Sequence, residues 1–565
     1  VSAVLAVAQG TVWEHQHDEG TTFDLSIGIV QRGELVPDQT RHPATVESLY
    51  KTVEGNSAYN VQDVVDSVSV PDYRMFHPPG YYVLLHVWTK IFGTSNVLLR
   101  LPAYILAALA ILGMVRIARR VIPGENAGVW VALIFGLSPW VLRITNFARP
   151  YHLALFCAVW ATVCVVSMRD DKNRRFWRVL FVLLSVLGMY TLYHYAFVLA
   201  WHLALMAWEA RSARPERRRA EIFGLYGVLL AILLGFGPWL RNFYYHIALA
   251  GNSDDYFIGA VAPVKWYFYL ERAYQDFAIS DAVRTYFGQE LRVISLALGS
   301  ITLIVAIWAF AGPARRALDQ HARRFWLSAA LLPLLLLASD VVLGNHTIFI
   351  TKLSFGLIVL LVLVVVYAWL AVPIAWLRYS GLTCWALLLA ASVSFNTYSK
   401  AAIRSDMEAA AAAIAQADTN YHLIVLSTDL RGYSVPFLLS LRDAGVRNVF
   451  VTQANKHEDL SALLVEVDNG YSSRFSRVSL VNFQIPTQKN RLMWDMNFVK
   501  ENLVAIARPK WRIFWHDLQQ WSGEDAIGTK DRQPDNSREL WVFGPVKAKF
   551  YASPITTDEE SAKAL

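Results

Sequence analysis

A polytopic α-helical membrane protein, followed by a water-soluble α/β domain, is the fold class this sequence predicts. Three observations predict it. Of 565 residues, 55% are hydrophobic and only 17% charged, where a soluble domain carries about 25%. Ten apolar runs follow one another between residues 98 and 395 with little polar sequence between them; such a series cannot form a soluble core, because lipid is the solvent that tolerates it. From Asn396 onward the composition becomes that of a water-soluble domain.

Val1 opens a first apolar run that stops at Trp13. A span needs about 20 residues, so this run is expected to be the end of a retained first helix. A cleaved signal segment is the competing reading, with small residues at Ala6-Val-Ala8. A polar outer-face loop, 14–97, comes next. The apolar runs that follow are 98–115, 127–142, 151–168, 176–193, 195–208, 222–240, 291–312, 325–343, 353–377 and 380–395. With the first, they predict about 11 transmembrane helices, the shorter ones helped by tilt and flanking aromatics. The expected domains are therefore a membrane domain, 1–395, and an α/β domain, 396–565. Cys157, Cys164 and Cys384 all fall inside apolar runs, without metal or redox spacing, and read as small buried side chains.

Orientation follows from Lys and Arg. Alternate loops hold Arg116/Arg119/Arg120, the Arg169–Arg178 and Arg211–Arg219 clusters, Arg315/Arg316/Arg323/Arg324 and Arg378, while the short loops of the opposite set carry Arg143, Arg149 and Lys352. Positive charge stays cytoplasmic. The 14–97 loop, the 143–152 and 190–195 turns, the 241–289 loop, the 344–352 turn and the C-terminal domain therefore face outward. The net charge of +7 is a topology signal, and nucleic acid is not an expected partner. In the C-terminal part, 409–417 reads as a helix, 423–427, 448–452 and 478–483 as strands, and helical runs near 436–443 and 460–467 alternate with them.

The outward loops hold the residues that can do chemistry. Asp18-Glu19 ends the first run; a carboxylate at a membrane interface can act as a base, or the pair can simply solvate a helix end. Asp72 leads into His77-Pro78-Pro79-Gly80-Tyr81-Tyr82. The prolines force an extended turn at His77, and residues 81–92 read as a helix lying in the interface. That elbow suits a lipid phosphate, or serves only as a membrane re-entry. Arg149-Pro150-Tyr151 places a guanidinium where positive-inside logic would exclude one, suggesting a phosphate partner or an ion pair with Asp18, Glu19 or Asp72. His194 and Tyr195 read as a polar cavity wall, Pro238-Trp239 as a kink, and Lys352 as a further phosphate partner. Asp340, inside an apolar run, is expected to face the bundle.

In the order and spacing of these pieces the chain resembles the glycosyltransferase family 39-like membrane enzymes of the GT-C fold, which are related to protein O-mannosyltransferases and lipid A aminoarabinose transferases. The pieces are Asp18-Glu19, His77 to Gly93, Leu99-Arg100-Leu101-Pro102, Ser138-Pro139 with Ala148-Arg149-Pro150-Tyr151, Tyr190 to Tyr195, and Pro238-Trp239. The resemblance covers roughly residues 11–380. It implies transfer of a sugar, hexosyl or pentosyl, from a polyprenyl-phosphate donor to a glycan, lipid or protein hydroxyl at the outer face of a bacterial inner membrane. On the same ground Asp18 is the base with Glu19 as helper, and configuration is inverted. His77, Arg149, Tyr151 and Lys352 contact the donor phosphate and lipid, and Asp72, Tyr81, Tyr82, His194 and Tyr195 line the substrate cavity. Two positions depart from the family: Gly80, where Leu is common after the prolines, and Lys352, where Arg is common. Some related enzymes use a divalent metal ion and others do not; no ligand cluster stands out here, and no cofactor is assigned. Two other classes compete, a transporter or flippase and a silent scaffold subunit. The first lacks an inverted repeat and midplane charges, and an intact Asp18 argues against the second.

Overall fold

A computed structural model describes residues 44–45, 60–69, 77–93, 96–146, 148–168, 173–252, 281–343 and 355–402, with further pieces at 411–412, 414–416, 422–426, 441, 444–446, 450–453, 477–484 and 512–519. The chain divides into two compact units. One takes in Val68–Leu84 and Val97–Ser399; the other includes Leu85–Asn96 and Lys400–Leu565.

Helices make up the described part of the first unit. After α1 (Val61–Ser69) and α2 (Gly80–Phe92), both of which run across the division between units, come α3 (Asn96–Val121), α4 (Ala127–Leu137), α5 (Pro139–Thr145) and α6 (Tyr151–Ser167). They continue as α7 (Arg174–Thr191), α8 (Tyr195–Arg211), α9 (Pro215–Phe236), a 3-10 corner at Gly237–Trp239, and α10 (Leu240–Asn252). Then follow α11 (Asp281–Ala311), α12 (Gln320–Ala329), α13 (Leu331–Leu343), α14 (Phe355–Ala371) and α15 (Ala375–Ala402). Among the described residues four helical stretches are long and apolar enough to cross a membrane: Val97–Val121, Pro215–Ile247, Val293–Ala311 and Gln320–Ser339. Ala127–Leu137, Tyr151–Ser167 and Phe355–Ala371 are shorter and apolar.

Burial explains why periodicity is weak in these helices. Helix α6 is buried on nearly all sides, from Tyr151 to Ser167, because α7, α8 and α14 pack around it. Helix α9 is the opposite case: Phe223, Tyr226, Leu230, Leu233 and Leu234 are all exposed, as are Ile301, Leu303, Ile304 and Ile307 on α11. A soluble monomer does not leave so large an apolar surface open, whereas lipid tails cover it without cost. The chain is a multi-pass membrane protein.

Three sequence expectations change. The run 127–142 is two helices, because Pro139 has no N–H to continue α4 and starts α5 instead. The 14–97 loop contains a regular helix, α1, in a stretch that sequence left unread. Cys157 and Cys164 are buried as expected, but Cys384 is exposed on α15.

Polar groups gather at helix ends. At the end that holds the basic loops, Glu221 of α9 pairs with Arg174 and Arg178 of α7, the second contact at 2.7 Å. Glu209 of α8 pairs with Arg324 and His321 of α12 at 2.8 and 3.0 Å, and Asp319 caps α12 by accepting from the Ala322 N–H at 2.6 Å.

In the second unit five strands form one sheet in the order β1-β3-β2-β4-β5. These are β1 (Ala44–Thr45), β2 (His422–Leu426), β3 (Phe450–Gln453), β4 (Arg477–Gln484) and β5 (Arg512–Gln519). The β3-β2-β4-β5 part is parallel throughout, and β1 joins β3 antiparallel. Strands β2, β3 and β4 lie within two residues of the stretches expected; β5 and β1 are additions. The expected helical runs near 436–443 and 460–467 lie largely outside the described residues.

Candidate functional site

At the end of the first unit opposite the basic loops, four chain segments meet. The first is the start of α2. Pro78 and Pro79 are buried, and the Pro79 carbonyl accepts the first helical bond, from the Val83 N–H at 2.9 Å. A proline costs a helix nothing before its first turn, where an N–H has no partner inside the helix. The turn thus fixes His77, whose ring stands 6.3 Å from that of Tyr82.

The second segment is the start of α6. Tyr81 is fully buried and sets its ring edge-on to His152, centroids 5.0 Å apart. Three residues earlier Arg149 is buried at 3% exposure. Its Nη2 donates to the Tyr151 hydroxyl at 3.2 Å, and its guanidinium lies 5.5 Å from the centre of the same ring. A buried guanidinium with a fixed plane is a preformed fork for phosphate oxygens. On α3, Arg100 is buried and, one turn on, Tyr104 donates to the Asn146 Oδ1 at 3.2 Å.

The third segment is the end of α7. A Cβ on Gly80 would come within 2.7 Å of the Tyr190 carbonyl oxygen. That close approach accounts for the departure from Leu at this position: α2 docks directly on the backbone of α7. Gly80→Leu is expected to lower stability by about 2 kcal/mol, by overpacking, read as a drop in the thermal midpoint in detergent.

The α9–α10 corner is the fourth. Tyr190 packs on Phe236 and Trp239. Trp239 donates to the Tyr193 hydroxyl at 2.9 Å, and Tyr193 lies 2.8 Å from the His246 Nδ1.

His194 caps α8 from the same turn, its Nδ1 buried with no hydrogen-bond partner among the described residues. Burial pushes the His194 imidazole down from 6.5 to about 4, so it is neutral at physiological pH. Between pH 6.5 and 4 the unfolded chain takes up a proton that the folded one refuses, so stability falls as pH falls through that window. Melting at pH 7, 5.5 and 4.5 is expected to show this drop, and His194→Phe to reduce it.

The structure therefore brings together His77, Tyr81, Tyr82, Arg149 and Tyr151, with the His194 turn adjoining through Tyr190 and Tyr193. Tyr195 goes elsewhere. Its ring lies on Gly188, where a Cβ would approach it to 2.6 Å, and the residue is fully buried. Entering α8 turns it into the bundle. Asp18, Glu19, Asp72 and Lys352 lie outside the described residues, as does the side chain of Asp340. His152, Asn146, Tyr193 and His246 were not singled out by sequence reasoning; a polar residue kept inside an apolar run was the available signal. Among the described residues no group of three or more His, Cys, Asp or Glu could hold a metal ion.

Residues 76–241 match the family model described as dolichyl-phosphate-mannose-protein mannosyltransferase. That segment holds the His-Pro-Pro turn, Arg149 and the Tyr193 turn, and through it the chain is related to the GT-C membrane glycosyltransferases, as its motifs suggested. No curated protein matches the chain. Among solved structures, ArnT from Cupriavidus metallidurans in the apo state is 14% identical, with 91% of each chain covered and a TM-score of 0.40. The same protein bound to undecaprenyl phosphate is 15% identical over 84% of this chain and 88% of that one, with a TM-score of 0.39. The oligosaccharyltransferase from Archaeoglobus fulgidus in the apo form is 11% identical over 82% and 66%, with a TM-score of 0.43.

Proposed function

We propose that the protein transfers a sugar from a polyprenyl-phosphate carrier to an acceptor hydroxyl at the outer face of the membrane, with inversion at the anomeric carbon. The observation that carries this reading is the buried Arg149–Tyr151 pair next to the Tyr81–His152 contact, inside the segment that matches a lipid-phosphate-dependent mannosyltransferase family. Asp18, with Glu19 beside it, takes the proton of the acceptor hydroxyl. The freed oxygen attacks the anomeric carbon as the bond from that carbon to the phosphate oxygen breaks, and the carrier phosphate leaves with the bonding pair. The leaving group is an anion already, so cations matter more than a proton donor. Arg149, His77 and Lys352 supply them, and Asp72, Tyr81, Tyr82 and His194 line the cavity.

In this reading about 11 spans place residues 396–565 outside as an α/β domain, in a bacterial inner membrane. The two arginine-rich loops at the Glu209 and Glu221 end support the orientation. The parallel β3-β2-β4-β5 sheet supports the α/β assignment. The test is transfer by purified protein in lipid nanodiscs, with undecaprenyl-phosphate sugars as donors and membrane extract as acceptor. Sugar transfer that depends on the phosphate link supports the reading. Movement of intact carrier between leaflets without sugar transfer replaces it with a flippase.

A further inference from the structure

The Tyr193 hydroxyl sits between two partners, Trp239 and His246. An indole N–H only donates, so Trp239 at 2.9 Å uses the hydroxyl oxygen as acceptor. The other neighbour is the His246 Nδ1 at 2.8 Å; with the phenolic proton directed to it, His246 is the neutral ring with its proton on Nε2. Burial holds the Tyr193 phenol above its usual range, against a smaller opposing effect of the Trp239 bond, so it keeps the proton this chain requires. His246 is itself buried at 2% exposure, and ring contacts of Tyr193 with Phe243 and of Trp239 with His246 enclose the three.

What the chain joins is more informative than its members. Tyr193 belongs to the α7–α8 turn, Trp239 to the 3-10 corner, and His246 to α10. Three residues before Tyr193, Tyr190 packs on Trp239 and offers the carbonyl against which Gly80 is seated. Gly80 opens the helix that the His77-Pro-Pro turn leads into.

We propose that Trp239, Tyr193 and His246 form a directed hydrogen-bond chain that locks the α7–α8 turn and, through Tyr190, the seat of the His77-Pro-Pro turn. Tyr193 and His246 are thereby positioning residues for the phosphate of the lipid carrier. This rests on the reading of the site as a carrier-phosphate site. The chain works by aligning a preformed phosphate cradle, so its loss is read in carrier affinity and in the His246 tautomer, not only in stability.

The experiment uses the full chain in nanodiscs with undecaprenyl phosphate as probe. Wild type, Tyr193→Phe, Trp239→Phe, His246→Leu, His246→Asn and the Tyr193→Phe/His246→Leu double variant are compared. Tyr193→Phe and His246→Leu are each expected to weaken binding by about tenfold, with the double variant no weaker than the worse single one, since members of one chain are not additive. His246→Asn keeps an acceptor near the Nδ1 position and is expected to recover affinity to within about threefold of wild type. Nitrogen NMR of the histidines is expected to show an Nε2–H ring that is lost as a distinct signal in Tyr193→Phe. Should His246→Leu fail to fold, Trp239→Phe, which removes one donor and keeps an aromatic ring, tests the same chain and is expected to weaken binding. Unchanged affinity in Tyr193→Phe, additive losses, or no recovery with Asn overturns the proposal while leaving the transferase reading intact. Failure of wild type to bind the probe overturns both.

Discussion

Asp18→Asn is expected to reduce sugar transfer by about 10³-fold while carrier binding stays within twofold of wild type. The size follows from the role. A positioned base contributes roughly 10²–10⁴-fold, and the amide keeps the shape of the carboxylate while losing its ability to take a proton. An intact acceptor hydroxyl is a poor nucleophile toward an anomeric carbon whose leaving group is already anionic, so nothing downstream compensates. Parallel measurement of turnover and of undecaprenyl phosphate affinity checks this. Loss of both together would make Asp18 a structural or binding residue, and wild-type turnover would remove it from the mechanism. Glu19→Gln is expected to have the smaller effect of the two.

Arg149→Ala is expected to lower donor affinity and turnover together, by about 10²-fold, and to leave acceptor affinity within a few fold. Arg149 is buried and is held by Tyr151, both through the hydroxyl and through the ring. A guanidinium in such a setting meets phosphate with little loss of side-chain freedom, and its charge is less screened than at a surface. Arg149→Lys keeps the charge without the fork and is expected to recover only part of the loss. Tyr151→Phe removes one holding contact but keeps the ring, so a smaller effect than Arg149→Ala is expected. Donor titration at fixed acceptor separates the cases. An unchanged donor affinity in Arg149→Ala would assign the residue to packing.

The sequence made the membrane body legible because uninterrupted apolar runs such as Tyr151–Ser167 have few other uses. It made the start of the site legible through His77-Pro78-Pro79, where two fixed φ angles allow little but a turn. Tyr195 lies apart from the other candidates for a physical reason: Tyr193, His194 and Tyr195 are adjacent in sequence, yet the turn ends between them and the first residue of α8 packs on Gly188. His246 and His152 escaped notice because a single histidine in an apolar helix usually serves packing, and only the partner on another helix shows otherwise. Gly80 looked like a departure from a family pattern; the Tyr190 carbonyl next to it supplies the cause. Strand β5 was unread because its alternation is not clean: one face runs Ile513, Trp515, Asp517 and Gln519, apolar and then polar. Strand β1 is two residues long and pairs with a strand some four hundred positions away, which no local pattern can announce.

The most direct test of the central claim is mass-spectrometric detection of free undecaprenyl phosphate released from undecaprenyl-phosphate sugars by the purified chain in nanodiscs, with membrane extract as acceptor. The account predicts release matched one-to-one by sugar on the acceptor in wild type, and neither product with Asp18→Asn. Equal release by wild type and Asp18→Asn, or none by wild type with any sugar, would contradict it.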